Sequence, residues 1–131
     1  MKKLPHNGVY ARLRASNIHG VGVFALIDIS KGTYVFADDD QEIVWVDKQL
    51  VDTLPEPIKQ LYYEFAIIKR AKYGAPKSFN ELTISWYVNH SEQPNLAADG
   101  EYRFYALRDI TAGEELTADY RTYSELPLGS V

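Results

Sequence analysis

Trp86-Tyr87-Val88-Asn89-His90-Ser91-Glu92-Gln93-Pro94-Asn95 is the stretch on which the reading of this chain turns. Side-chain amides, an imidazole and a hydroxyl follow directly on hydrophobic residues of the kind that fill a core. A surface turn asks only for the Asn and the Pro, so the other polar groups need another reason. Two chemistries suggest themselves, and both fail. His90, Ser91 and the later Asp119 are the residue types of a hydrolase triad. Adjacent residues cannot easily set a serine Oγ on the imidazole, however, and no nucleophile elbow is present. A metal site fares no better, because the histidines at 6, 19 and 90 lack ligand spacing. Alone, the segment reads as a hydrogen-bonded turn.

The surrounding composition narrows the class. A chain of 131 residues with 46% hydrophobic and 24% charged residues has the size and make-up of one globular domain. Its net charge of −4 argues against non-specific nucleic-acid binding and suits a basic partner. Cysteine is absent, which removes disulfides, thiolate nucleophiles and cysteine-ligated zinc. No apolar run approaches the roughly 20 residues of a membrane helix. The opening residues, with Lys2 and Lys3 but no apolar stretch, do not form a signal peptide. The expected location is therefore intracellular, cytoplasm or nucleus, and Asn89-His90-Ser91 is then a chance glycosylation match.

Most of the chain reads as short β-rich segments separated by turns. Strands are predicted at 9–13, 21–26, 33–36 and 43–46. Asp47 is placed to cap a short helix through residue 54, and a second helix begins near Pro57, with Ile58, Leu61, Tyr62 and Phe65 at helical spacing. Residues 65–68 fit either the end of that helix or another strand. A hairpin is predicted from 96–98 to 102–108 around Asp99-Gly100, and a last strand at 116–120. Ala25-Leu26-Ile27-Asp28-Ile29-Ser30-Lys31-Gly32 returns as Ala106-Leu107-Arg108-Asp109-Ile110-Thr111-Ala112-Gly113. Two copies are too few for a solenoid. Either they share turn chemistry alone, or the fold has two related corners. Nothing follows a βαβ rhythm, so a mainly β architecture is expected.

Two further motifs are ambiguous alone. Gly20-Val21-Gly22-Val23-Phe24-Ala25 has the spacing of a dinucleotide loop but lacks the strand before it and the helix after it. Its glycines still imply a close approach of backbone to a ligand or a neighbouring strand. Gly113-Glu114-Glu115-Leu116-Thr117-Ala118-Asp119-Tyr120 gathers three carboxylates beside a tyrosine. Taken alone, Glu114 and Glu115 are a solvated turn and Tyr120 a core aromatic with a polar tip.

Together, in this order and at this spacing, the three segments resemble the SET-domain protein lysine methyltransferases. The resemblance covers about residues 8–123 and treats the chain as a single, minimal SET domain with a helical insert at about 47–65. It implies a β-clip-like fold of several short sheets with a C-terminal pseudoknot. It also implies an S-adenosylmethionine-dependent enzyme that methylates the ε-amine of a protein lysine. By the same resemblance, the Asn89 side chain holds the amino-acid end of the cofactor and the His90 backbone pairs with the adenine edge. Gly20, Val21 and Gly22 bring backbone to the cofactor, and Tyr120 is the catalytic tyrosine. Ala118 and Tyr123 are candidates for the substrate channel, and core or surface filling competes for Tyr123. No metal is implied. A small residue at 118 is expected to leave room for more than one methyl group.

The chain departs from the family pattern in three places. Trp86 stands where many members carry an arginine for the cofactor carboxylate. Phe36-Ala37-Asp38-Asp39-Asp40 replaces the usual Tyr-x-Gly. No cysteine-rich segment follows Tyr120 to help close the channel, so Tyr123 or a second subunit is expected to do so. The acidic run Asp38-Asp39-Asp40-Gln41-Glu42 is either a solvated loop or a guide for a basic peptide. The rival to catalysis is a SET-fold module that binds peptide without transferring a methyl group; small-molecule methylation is a third reading.

Overall fold

The computed structural model describes residues 4–37, 39 and 42–125. Its strands are short. They are β1 (Ala11–Ala15), β2 (Val21–Ala25), β3 (Ile43–Asp47), β4 (Ile67–Lys69), β5 (Lys72–Pro76), β6 (Asn89–His90), β7 (Leu96–Ala98), β8 (Phe104–Ala106) and β9 (Glu115–Ala118). Two helices, α1 (Lys48–Val51) and α2 (Glu56–Phe65), lie between β3 and β4, and 3-10 turns occupy Phe79–Glu81, Ile84–Tyr87 and Tyr120–Thr122. This is the expected mainly β architecture.

The strands form two sheets, one ordered β1-β2-β9-β7-β8 with β6 also on β9, the other ordered β3-β5-β4. β9 organises the larger sheet. It runs antiparallel to β2, with Val23 opposite Leu116, and parallel to β6 and β7, with Asn89 opposite Thr117 and Leu96 opposite Ala118. The parallel pairs place the C-terminal segment against the Asn-His segment, the arrangement that a pseudoknot requires. Asn95 closes the same seam with its side chain. Its Oδ1 accepts from Thr117 N at 2.8 Å, and its Nδ2 donates to Glu115 O at 2.9 Å. Beneath these strands Val23, Leu96, Ile110, Leu116 and Ala118 are buried essentially completely, with Ile29 and Val35 beside them.

The repeated octapeptides are two related corners that bond to each other. Ile29 and Ile110 exchange both backbone hydrogen bonds at 2.8 Å. Asp28 Oδ1 accepts from Ala112 N, and Asp109 Oδ1 accepts from Lys31 N. Gly32 N donates to Ala106 O while Gly113 N donates to Ala25 O, both at 2.8 Å. Every bond from one copy is answered from the other. Turn chemistry shapes each copy, and a local pseudo-twofold relation pairs them.

Several expectations are corrected. Residues 33–36 form no strand, because the chain makes a single bridge, Tyr34 to Tyr105, and turns at 35–37. Asp47 is the last residue of β3, opposite Lys72, and makes no side-chain cap bond; α1 ends at Val51. Residues 65–68 divide, since α2 stops at Phe65, Ala66 is extended and β4 begins at Ile67. β5 was not anticipated, because its Gly74 and Pro76 are residues that strands avoid. A Cβ on Gly74 would lie 2.8 Å from the Trp45 ring, so the glycine makes room for the indole across the pair. The β4–β5 turn uses Arg70 and Ala71, both at positive φ (51° and 63°), the geometry of a type I′ turn without glycine. The β7–β8 hairpin exists, but its loop spans 99–103. Tyr102, not Gly100, takes the positive φ (63°), and Asp99 Oδ1 accepts from the backbone of Glu101 and Arg103.

Candidate functional site

The parallel seam between β6 and β9 puts Asn89, His90 and Tyr120 on the wall of one cavity of about 860 Å³, which also takes in His19, Gly20 and Val21. That volume is of the size that holds a small molecule. Phe104, Tyr120 and Tyr123 supply an aromatic wall, and Tyr63 and Phe65 of α2 supply another. Thus Gly20, Val21, Asn89, His90, Tyr120 and Tyr123 meet in one place, although they are spread over a hundred positions of chain.

The two glycines have different reasons. Gly20 has φ of 43° and open space where a Cβ would stand, so its backbone conformation demands glycine. Gly22 is a matter of room: a Cβ there would overlap the Glu115 carboxylate and come within 3.0 Å of Asn89 Nδ2. The close approach expected of this loop is, at Gly22, an approach to protein side chains.

Asn89 is only 7% exposed, and its amide orientation follows from its neighbours. Nδ2 faces Glu115 Oε2 (2.9 Å), His19 O (3.1 Å), Ser16 Oγ (3.2 Å) and Val21 O (3.3 Å). Turning the amide over would set its oxygen against two carbonyls and a carboxylate. The amino side therefore points into the protein. Oδ1 has no hydrogen-bond partner among the described residues and remains available as an acceptor.

Tyr120 is held at both ends. Its backbone N donates to His90 Nδ1 at 3.1 Å, so the imidazole that accepts there carries its proton on Nε2. Its hydroxyl donates to the Val88 carbonyl. With that proton committed, the phenol oxygen offers only lone pairs to the cavity. Burial, aided by the nearby Glu115 charge, pushes the Tyr120 phenol up to about 12. Next to it, Asp119 caps the following 3-10 turn, and its ion pair with Arg121 at 2.7 Å holds its carboxyl down to about 2. Tyr123 packs edge-on to Tyr120 and Phe104, with ring centroids 6.0 and 5.7 Å apart, and burial raises its phenol well above the usual value.

Two expected residues stand elsewhere or differently. Ala118 is 0% exposed, lies in the core with Leu96 and Leu116, and does not line the cavity. The idea that its small size opens the channel directly finds no support in that placement. Of the acidic run, Asp38, Asp40 and Gln41 lie outside the described residues. Asp39 accepts from the hydroxyls of Thr83 and Ser85, both at 2.7 Å. It is anchored and not a free loop carboxylate. Residues missed from sequence include Ser16 and the α2 aromatics. Glu115, read as a solvated turn residue, is half-buried against Asn89 and Ser16. The period-2 pattern of β9 offered a hint, since Glu115 shares a face with Thr117 and not with the core residue Leu116.

The amino-acid end of S-adenosylmethionine carries an ammonium and a carboxylate, and the cavity offers an acceptor that suits the first. Asn89 Oδ1 is a free acceptor. The Trp86 indole Nε1 is a buried donor with no partner among the described residues, and Trp86 lines the cavity. The residues present fit the cofactor. No group of His, Asp or Glu that would hold a metal occurs among the described residues, and no helix of theirs is long and apolar enough to cross a membrane.

Known proteins support the same grouping. The SET domain pattern matches residues 20–121. A histone-lysine N-methyltransferase, H3 lysine-4 specific, of Chaetomium globosum is 32% identical over 126 residues, covering 85% of this chain and 11% of the relative. A variant-silencing SET domain-containing protein of Plasmodium falciparum is 33% identical over 111 residues, covering 77% of this chain and 4% of the relative. The chain thus spans about a tenth of the first relative's length, and less of the second's. Among solved structures, a humanized mutant of the Chaetomium thermophilum Polycomb Repressive Complex 2 superposes with a TM-score of 0.60 at 21% identity, over 88% of this chain and 15% of that one. The fold, the seam that assembles the cavity and the match over most of its length agree: the chain belongs to the SET-domain family.

Proposed function

We propose that the cavity binds S-adenosylmethionine and that the protein transfers its methyl group to the ε-amine of a lysine in a basic protein segment. The observation that carries this reading is the convergence of Asn89 and Tyr120 on one cavity through the β6–β9 pairing. When bound, the cofactor supplies an electrophilic methyl group on a positively charged sulfur. Asn89 Oδ1 would receive the ammonium, and the backbone of Gly20, Val21 and His90 would border the rest.

The chain's own residues orient the amine. Phe104, Tyr120 and Tyr123 exclude water and confine a linear side chain, and alignment of reacting groups is worth several kcal/mol. Tyr120 contributes lone pairs that accept weak contacts from a polarised methyl or from the amine N–H. It is not a base at neutral pH, since its hydroxyl donates to the Val88 carbonyl and its phenol stays protonated. The lysine must arrive neutral. Starting from a pKa of ~10.4, that costs about 4.6 kcal/mol at pH 7, and an apolar wall together with a neighbouring cation lowers the cost.

The relatives named for histone H3 lysine 4 make an H3 peptide the first substrate to try. Calorimetric titration with S-adenosylmethionine, followed by transfer of labelled methyl groups to that peptide, tests the proposal. Micromolar binding that Asn89→Ala abolishes, with transfer that Tyr120→Phe reduces at least about a hundredfold, is the expected result. Binding of cofactor and peptide without transfer to any protein would leave a peptide-binding module in its place. Mass spectrometry of the product counts the methyl groups, and sedimentation shows whether a second copy joins the channel.

A further inference from the structure

The half-buried Glu115 carboxylate has no lysine, arginine or histidine within ion-pair distance among the described residues. Its partners are neutral: Ser16 Oγ donates to both oxygens at 2.8 and 2.9 Å, and Asn89 Nδ2 donates at 2.9 Å. Neutral donors alone hold this half-buried carboxylate in place. A carboxylate that merely joined strands would be replaced without loss by a neutral group. Gly22 gives up its side chain to make room for it.

The geometry points to Glu115, with Ser16 behind it, as the positioning residue that locks Asn89 so that only an acceptor oxygen faces the cavity. The inference rests on the cofactor reading above and adds to it the group that decides which end of the ligand Asn89 recognises. Nδ2 has two hydrogens and four oxygens around it, so its direction is over-determined and Oδ1 is forced outward. A ligand group at Oδ1 must then be a donor, and the uncompensated charge behind Asn89 favours a cationic one. The charge reaches the site, because it also contributes to the raised pKa of Tyr120. Glu115 does not line the cavity and acts through Asn89.

The discriminating experiment compares S-adenosylhomocysteine with its analogue lacking the α-amino group, titrated against intact protein and Glu115→Gln. Glutamine keeps the shape and loses the charge. In the intact protein, the missing ammonium should weaken binding roughly ten- to a hundredfold. In Glu115→Gln that discrimination should shrink to within about threefold, with the melting temperature little changed. Ser16→Ala should shrink it partially, and Gly22→Ala, which displaces the carboxylate, should act like Glu115→Gln. Equal loss for both ligands, or undiminished discrimination, overturns the positioning role. If the intact protein binds neither ligand, the cofactor reading itself falls. The side-chain amide resonances of Asn89, identified by their absence in Asn89→Ala, then decide: movement in Glu115→Gln supports the lock, and unmoved resonances overturn it.

Discussion

The two sheets solve the same problem with different means. Around β9, apolar side chains are removed from water completely and the strands are tied by reciprocal polar bonds: Asn95 to β9, Asp28 to Ala112, Asp109 to Lys31. Around β5, the core is Val51, Ala66 and Tyr73, filled out by tilted and edge-on aromatic contacts such as Tyr62 with Tyr73 and Phe79. α2 has no fully buried residue, and its Ile58 is 41% exposed. The polar cavity groups Asn89, His90 and Tyr120 sit on the first region, while Tyr63 and Phe65 of the second also line the cavity. The difference teaches where precision is needed: an acceptor that must be aimed is carried by the sheet with an over-determined hydrogen-bond network.

This contrast can be challenged by substitution. Leu116→Ala, at a fully buried position of β9, should destabilise by about 2–5 kcal/mol. The partly exposed Ile58→Ala should cost well under about 1 kcal/mol. Urea denaturation of the two variants side by side checks both, and similar losses would erase the distinction. Raising the pH attacks the same side of the molecule. The Tyr120 phenol is neutral to about pH 12 when folded but only to about 10 when unfolded. Its contribution is therefore fully present below pH 10 and is lost as pH rises through 12. The loss should be about 2–3 kcal/mol, and comparison with Tyr120→Phe across that window isolates it from the other tyrosines.

Smaller effects refine the picture. Asp28→Ala and Asp109→Ala each remove one acceptor from a reciprocal pair of bonds and should cost about 1 kcal/mol apiece. If the pseudo-twofold relation is energetic as well as geometric, the double variant will show coupling in a mutant cycle. On the β4–β5 turn the change should be favourable. Replacing Arg70-Ala71 by Asn-Gly relieves positive φ at two residues and should raise stability by about 1 kcal/mol. A thermal melt reads it, and no gain would mean that the positive φ at Arg70 and Ala71 carries little strain.

Much of the site was legible in the sequence only when its three segments were taken together, in their order and spacing. Asn89, His90 and Tyr120 stand in runs where a core or a turn would need less, and the glycines at 20 and 22 announce tight backbone. What could not be read was which polar residue serves which other. Glu115 resembles Glu114 in the sequence, yet Glu114 bonds Arg108 in an exposed loop while Glu115 turns inward to Asn89. One residue of register on a strand makes that difference. β5 and the bridge at Tyr34 were missed or misread because local preference is weaker than pairing. Gly74 joins a strand only because Trp45 lies across from it, and residues 33–36 lack a continuous partner despite their composition.

By itself, the sequence determined the class of fold, the absence of thiol chemistry, the repeated octapeptide, and the three motifs in their order. These rest on local chemistry and spacing, which a linear chain displays. Only the tertiary structure decided that β9 lies between β2 and the Asn-His segment, that Ala118 is core, and that Glu115 accepts from Asn89. Those depend on contacts between residues as distant as Ser16 and Glu115. A half-buried carboxylate and an unpartnered indole N–H acquire meaning only when the chain has closed around them.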